Sequence, residues 1–230
     1  MLFILLLVGT GLLSLLATAH VKGTYSRYSQ IPASSGATGR DVAEAILQRA
    51  GIDDVEIVEL DQMLGDHYDP TNKRLVLSSQ NYHGNSVAAL GVAAHECGHA
   101  IQHKIAYAPL HWRSLAIGAV TFVNPILMWV PFFGLWMHLI PVHFALVLMS
   151  AGMGAVMLLN LVTLPVEFDA SNRAKQILPS MGFIGTPEEI AGVRKTLDAA
   201  GWTYVAAFIS SLAVFLYYFL PLVLGGRRND

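Results

Sequence analysis

The sequence predicts a mainly α-helical membrane protein with about four transmembrane helices and a small α+β unit. Hydrophobic residues make up 54% of the 230 residues and charged residues 13%, whereas soluble domains average about 25% charged residues. Two regions, residues 20–113 and 165–202, contain most of the polar residues. Four almost wholly apolar stretches are long enough to cross a bilayer, or nearly so, at about 1.5 Å per helical residue: residues 1–19, 114–133, 139–164 and 203–224.

The first apolar stretch is predicted to be an uncleaved N-terminal transmembrane anchor over residues 1–19. A secretory signal is the alternative, because Ala17-Thr18-Ala19 resembles a small-residue cleavage site. A signal normally begins with a positively charged segment, and no Lys or Arg precedes this apolar stretch. The absence of that charge favours the anchor.

Residues 20–113 begin with a Ser-, Gly- and Tyr-rich loop over residues 20–37 and then predict a small α+β unit. Thr38 is a suitable N-cap for a helix over residues 40–50, which Gly51 ends. Strand, turn and strand signals follow in that order at residues 55–60, 65–72 and 74–78. The second strand is a candidate edge on which an extended peptide could pair.

A pattern typical of metal binding lies in the next predicted helix, residues 87–104, for which Ser86 is the N-cap. His95 and His99 are four residues apart, so their side chains lie on one helical face and can share a metal ion. Glu96 is rotated by about 100° from His95, close enough to reach a water molecule at that metal. His-Glu-x-x-His is therefore the pattern of a zinc hydrolase with two ligands and a general base.

Two further residues of this helix are interpreted as structural. Cys97 points away from the face that holds His95 and His99, and we interpret it as a small buried residue. Because it is the only cysteine, the chain forms no internal disulfide. His103 extends the histidine face by one turn and is interpreted as a polar neighbour, since a closed four-ligand site would leave no position for water.

The last third of the chain places a polar insert, residues 165–202, between two transmembrane segments. Residues 114–164 hold two transmembrane helices, residues 203–224 hold another, and residues 225–230 form a tail. Thr186-Pro187-Glu188-Glu189 predicts a capped helix start. The next helix has an amphipathic face made by Ile190, Val193, Leu197 and Ala200.

Charge distribution predicts the topology. Eight Lys and Arg residues lie in residues 20–113 and four in residues 165–202, but none lies in the turn at residues 131–138. The positive-inside rule therefore places both polar regions in the cytoplasm, although Arg227 and Arg228 oppose this assignment. Two spans separate the polar regions, so both lie on the same side and can build one site. Net charge is −2 with no basic tract, which gives no indication of nucleic-acid binding.

A hydrolytic zinc site needs a third protein ligand. Ile105 occupies the sixth position after His99, where one class of zinc proteases has a histidine, so that class is excluded. Glu167 is the candidate instead, because it follows an apolar span on the same side as the His-Glu-x-x-His helix. Pro165 suits a helix start, which would place Glu167 in the first turn of a new helix.

The motifs resemble those of membrane-bound neutral zinc metallopeptidases of the YugP type over nearly the full chain. The matching segments are residues 65–70, 92–100 and 164–171, together with the N-terminal anchor. Glu167-Phe168-x-Ala170 also resembles the motif of HtpX-type and CAAX-prenyl proteases. The resemblance implies a gluzincin-type zinc protease in which residues 20–113 form a zincin-like catalytic region, His95, His99 and Glu167 bind Zn²⁺, and Glu96 is the base. Ser171 departs from the HtpX-type pattern, which has an aspartate there, so Asp169 or Asn172 is a candidate to orient a ligand histidine.

The predicted function is a membrane-embedded zinc metalloendopeptidase in the bacterial inner membrane, with its site on the cytoplasmic side. Its expected substrates are proteins or peptides, membrane proteins among them. Arg173, His67 and Tyr68 are candidate donors to the oxyanion that forms during amide hydrolysis. Two alternatives are a non-catalytic zinc-binding membrane scaffold or adaptor, which would not need Glu96, and a protease that cleaves within the bilayer.

Overall fold

A computed structural model describes residues 1–61 and 65–225 and shows a mainly α-helical chain with a small α+β part. This architecture confirms the predicted fold class. The elements, in chain order, are α1 Leu2–Tyr28, α2 Gly39–Arg49, β1 Glu56–Leu60, β2 His67–Asp69, β3 Arg74–Ser78, α3 Ser79–Tyr82, α4 Val87–Lys104, α5 Ala108–Trp136, α6 Val142–Ser180 and α7 Pro187–Gly225.

Among the described residues, four helices are long and apolar enough to cross a membrane, namely α1, α5, α6 and α7. These helices identify a membrane protein, as the apolar composition predicted. Each helix extends beyond the apolar stretch that predicts it. Residues 20–28, predicted to be loop, continue α1, because Tyr25 donates a hydrogen bond of 2.6 Å to Asn81 and Tyr28 is buried.

The predicted helix start at Pro165 is wrong, because α6 continues unbroken through this residue from Val142 to Ser180. A proline inside a helix costs about 3 kcal/mol or more. Burial offsets this cost here. Four side chains that follow Pro165 at four-residue intervals form one fully buried stripe: Val166, Ala170, Ala174 and Leu178. They lie on one face only if the chain after Pro165 is helical.

The chain divides into two compact units, each with its own packing. One contains Met1–Leu16, His111–Leu164 and the residues from Tyr204 onwards. Within it, Asn160 donates a hydrogen bond of 3.0 Å to Ser211. The amide therefore joins α6 to α7, as a polar residue inside a span is expected to do.

The second unit contains Ala17–Leu110 and Pro165–Thr203. The two polar regions of the sequence thus form one compact body, in which α2, α4 and the sheet share a core with parts of α6 and α7. The core includes Ile46, Leu75, Leu90, Leu178 and Val193, all with almost no exposed surface.

The three strands of this unit are ordered β1-β3-β2, with β1 parallel and β2 antiparallel to β3. The edge-strand prediction for residues 74–78 is therefore wrong, since β3 is central. Leu75 to Ser78 are all buried, and a strand covered on both faces is typical of a sheet interior. The segment predicted as a turn also contains β2, which pairs His67 with Val76.

The predicted helix caps are present. Thr38 caps α2 with a complete capping box to Asp41, and Ser86 accepts a hydrogen bond from the backbone N–H of Ala89 at the start of α4. At α7, Glu189 accepts hydrogen bonds from the N–H groups of Gly185 and Thr186, at 2.8 Å each. The Glu189 carboxylate also accepts from the Ser34 N–H at 2.5 Å, so it holds the loop after α1 against α7.

Candidate metal centre

Helix α4 positions both histidines. Its first two turns are apolar, with Val87, Ala88, Leu90 and Ala93 fully buried, so the helix lies inside the second unit rather than on its surface. His95 and His99 follow one turn apart, with ring centroids 4.8 Å apart. Core packing of the preceding turns therefore fixes the direction in which both imidazoles point.

The second helix of the site, α6, approaches α4 very closely at Gly98. A Cβ atom built on Gly98 would lie only 2.8 Å from the carbonyl oxygen of Ala170 and 3.0 Å from its Cα. Only glycine allows the two backbones to be this close. The approach brings Glu167, one turn before Ala170 on α6, to the histidine face of α4.

The three side chains converge on one point. The Glu167 Oε2 atom lies 3.3 Å from Nε2 of His95 and 3.6 Å from Nε2 of His99. One donor atom from each of the three residues lies within 4.8 Å of the others. The side chains are 13%, 10% and 2% exposed for His95, His99 and Glu167, respectively.

This donor set fits zinc. Two imidazole nitrogens and a carboxylate oxygen are the ligands of many hydrolytic zinc sites. Donors at about 2.0–2.1 Å from a tetrahedral ion lie about 3.3–3.4 Å from each other, which is close to the 3.3 Å and 3.6 Å between Glu167 and the two histidines. A divalent cation would also neutralise the two carboxylates buried at this point, Glu96 and Glu167, which are 8% and 2% exposed.

Each imidazole has a polar partner at Nδ1, the ring nitrogen that does not face Glu167. The Nδ1 atom of His99 lies 3.0 Å from Oε1 of Gln102. Because a carbonyl oxygen only accepts, Nδ1 donates to Gln102, and Nε2 is the ring nitrogen that faces Glu167. Gln102 is fully buried, and its amide donates at 2.8 Å both to the Val166 carbonyl and to Asp169.

His95 has a different partner. Its Nδ1 atom lies 3.1 Å from the Ser171 hydroxyl, so Ser171 contacts a candidate ligand histidine although no carboxylate is present there. Asp169 reaches the other histidine only through Gln102. Arg173 in turn donates from Nε to Asp169 at 2.6 Å, which holds this carboxylate in place behind the glutamine.

Electrostatics link Glu96 to the cluster. Burial lowers the pKa of His99, but its hydrogen bond to Glu167 and the charges of Glu96 and Glu167 outweigh burial, so the pKa lies above its ordinary value. Glu96 therefore lies close enough to the imidazole to favour its charged form. A bound cation would compete with that proton for the same nitrogen.

The other residues singled out from the sequence lie away from these hydrogen bonds. Asn172 is exposed, and His67 is exposed with its Nδ1 atom 2.7 Å from the Gly65 carbonyl. The Tyr68 hydroxyl lies 2.8 Å from Nδ1 of His103, so both side chains have a partner. Cys97 is buried as predicted, and burial raises the pKa of its thiol.

Two residues that build this site were not identified as functional from the sequence. Gln102 lies three residues after His99, a spacing at which side chains on a helix meet, so its contact could have been proposed. Gly98 directly precedes His99 and shows in the sequence only as a small residue of the motif helix. Its close approach depends on a residue 72 positions later, which no local pattern indicates.

Together, the apolar helices and the His95, His99 and Glu167 donor set define a membrane protein with a zinc-type site. The profile of the family described as "Putative neutral zinc metallopeptidase" matches residues 3–222. The chain is 41% identical over 231 residues to "Putative membrane protease YugP" of Bacillus subtilis (strain 168), with 100% of both chains covered. No solved structure matches.

The chain belongs to this YugP-like family of neutral zinc metallopeptidases, as its motifs predicted. The family's description names a zinc metallopeptidase, and the relative's name describes a membrane protease.

Proposed function

We propose that the protein is a membrane-bound zinc metalloendopeptidase that hydrolyses peptide bonds. The observation that supports this proposal is the convergence of three donor atoms from His95, His99 and Glu167 within 4.8 Å. Glu96 lies beside this cluster and belongs to it electrostatically. A zinc site that serves only structure has no use for such an additional carboxylate.

In this proposal, His95, His99 and Glu167 hold Zn²⁺. Zinc at this position supplies Lewis acidity, which activates water and polarises the scissile carbonyl. Glu96 accepts a proton from the attacking water on its carboxylate and delivers it to the leaving nitrogen. The near-complete burial of Glu96 and Glu167 keeps bulk water from competing with substrate for this chemistry.

The surrounding residues keep the ligands oriented. Gln102 holds the His99 tautomer, and Asp169 with Arg173 fixes Gln102 from behind. The Ser171 hydroxyl contacts Nδ1 of His95 and keeps that ring in place. Arg173 is engaged by Asp169, so we assign it this supporting role rather than that of oxyanion donor.

We further propose that the site faces the cytoplasm and acts on peptide segments near the membrane surface. Glu167 lies three residues after the apolar stretch that ends at residue 164, which is about 4.5 Å along a helix. The lysine and arginine distribution supports the cytoplasmic side. Because Cys97 is buried, a single new cysteine can be labelled selectively in intact cells.

In that labelling experiment, a membrane-impermeant maleimide should modify Glu188→Cys only after the cells are permeabilised. His138→Cys, in the short connection between α5 and α6, should react without permeabilisation. The reverse pattern would contradict the cytoplasmic assignment without affecting the assignment of the zinc ligands.

Peptide cleavage by the detergent-purified protein tests the enzymatic proposal. Glu96→Gln should retain zinc and lose cleavage of casein or a fluorogenic peptide by at least about 100-fold, the range expected for loss of a general base. Glu44→Gln, a matched change on an exposed glutamate of α2, should cleave at the wild-type rate. Cleavage that survives in Glu96→Gln would refute the role of this base. A zinc-loaded wild-type protein that cleaves no peptide would favour the non-catalytic scaffold.

A further inference from the structure

A groove of about 610 Å³ lies between the last part of α1 and the first part of α7. Ala19, Arg27, Lys195 and Trp202 are among the residues that line it, and we call it the α1–α7 groove. It contains none of the candidate zinc ligands. It is therefore a separate feature of the second unit and does not depend on the proposed function.

The groove is closed at one end by a tight contact between the two helices. A Cβ atom built on Gly192 would lie 2.7 Å from a ring carbon of Tyr28, so no space remains between α1 and α7 there. Ala19 and Trp202 line the groove further along both helices, away from that contact. Residues 19 to 28 span nine helical steps, so the groove is about 13 Å long.

The charges along the groove favour an anion. Arg27 and Lys195 line it together with His20, and the guanidinium of Arg27 lies 5.6 Å from the centre of the Tyr28 ring. Asp198 also lines the groove, but it forms an ion pair with Lys175. The Asp198 charge is thus balanced by Lys175, which is not among the lining residues, while Arg27 and Lys195 both line the groove.

The open end of the groove lies where both helices change from polar to apolar sequence. Ala19 is the last residue of the apolar stretch at residues 1–19, and Trp202 directly precedes the stretch at residues 203–224. Trp202 is 60% exposed. An exposed tryptophan at the end of an apolar span is typical of the level of lipid headgroups.

We propose that the α1–α7 groove binds the headgroup of an anionic phospholipid. The headgroup enters from the open end and reaches Arg27 and Lys195, about 10–12 Å inward of Ala19 and Trp202 along the two helices. There the guanidinium fork and the ammonium group both donate to the phosphate oxygens. The acyl chains leave through the open end, past Ala19 and Trp202. A soluble anion could use the two cations as well, but it would gain nothing from an opening at the apolar boundary.

Lipid binding to the full-length protein in neutral detergent micelles tests the proposal. Phosphatidylglycerol should bind more tightly than phosphatidylcholine, and added salt should weaken the difference. Arg27→Gln with Lys195→Gln should weaken phosphatidylglycerol binding by about 20- to 30-fold, because each cation near an anionic lipid surface is worth about five-fold in affinity. Native mass spectrometry with each lipid gives the affinities.

The same helices provide a control with equal loss of charge. Lys22→Gln with Arg194→Gln removes one exposed cation from each helix outside the groove lining, and this variant should bind phosphatidylglycerol nearly as the wild type does. Equal losses in the two double variants would show only diffuse charge attraction and would overturn the proposal. Binding of free glycerol phosphate as tight as that of the lipid would overturn it too, in favour of a soluble ligand.

Discussion

Substitution of Gly98 by alanine should separate the two helices that form the proposed zinc site. The added Cβ atom would lie 2.8 Å from the Ala170 carbonyl oxygen, whereas ordinary van der Waals contact begins at 3.4 Å. The helices must therefore move apart by about 0.6 Å at this point. Zinc–ligand distances tolerate about 0.2 Å, and Glu167 lies on the helix that moves.

We expect Gly98→Ala to weaken zinc binding by about 10- to 100-fold, the range seen when residues that support metal ligands are changed. Overpacking should also lower the free energy of unfolding by about 1–3 kcal/mol, partly offset by about 1 kcal/mol from the better helix propensity of alanine. Competition with a fluorescent zinc chelator measures the affinity in detergent solution.

Gly91→Ala is the matched control on the same helix. Its added Cβ would meet the Val193 side chain at 3.7 Å, an ordinary contact, so zinc affinity should stay at the wild-type value while helix propensity improves equally. If Gly98→Ala binds zinc as tightly as Gly91→Ala, the close approach of α4 and α6 is not what positions Glu167.

Two further predictions concern hydrogen bonds of the second unit. Gln102→Leu should weaken zinc binding by about 10- to 100-fold and alter the absorption spectrum of the Co²⁺-substituted protein, because the His99 Nδ1 proton loses its acceptor. Gln48→Leu, on the exposed face of α2, should change neither property. An unchanged Co²⁺ spectrum in Gln102→Leu would contradict the orienting role of Gln102. Hydrogen bonds from Thr38 lower the pKa of Asp41 below its ordinary value, so Asp41 stabilises the fold above its unfolded-state pKa of about 3.9 and loses this effect as the pH falls through the lower folded-state pKa. Asp41→Asn should therefore melt at a lower temperature than wild type at pH 7, with a gap that narrows in acid, and a gap independent of pH would contradict this account.

The sequence was sufficient for the features that depend on local chemistry. Ser86 and Thr38 are capping residues whose side chains act within three residues, so the helix starts could be predicted from spacing alone. The pairing of His95 with His99 follows from helical periodicity in the same way. The four spans could be predicted because transfer to a bilayer depends on summed composition rather than on specific contacts.

The features missed from the sequence depend on distant parts of the chain. Pro165 predicts a helix start locally, but the buried stripe from Val166 to Leu178 keeps α6 continuous. The central position of β3 depends on β2, a strand of three residues that is too short to show periodicity. Gln102 contacts Val166 and Asp169 on another helix, so its importance appears only once α4 and α6 are packed together.

Zinc content per chain in wild type and in Glu167→Gln tests most directly whether α6 completes the metal site. The amide has the shape of the carboxylate but lacks its charge, and Glu167 is 2% exposed, so the fold should persist while one anionic ligand is lost. We predict close to one zinc per wild-type chain after purification in detergent and dialysis, and a small fraction of that in Glu167→Gln. Full zinc occupancy in Glu167→Gln, measured by elemental mass spectrometry, would contradict the assignment of Glu167 as the third ligand.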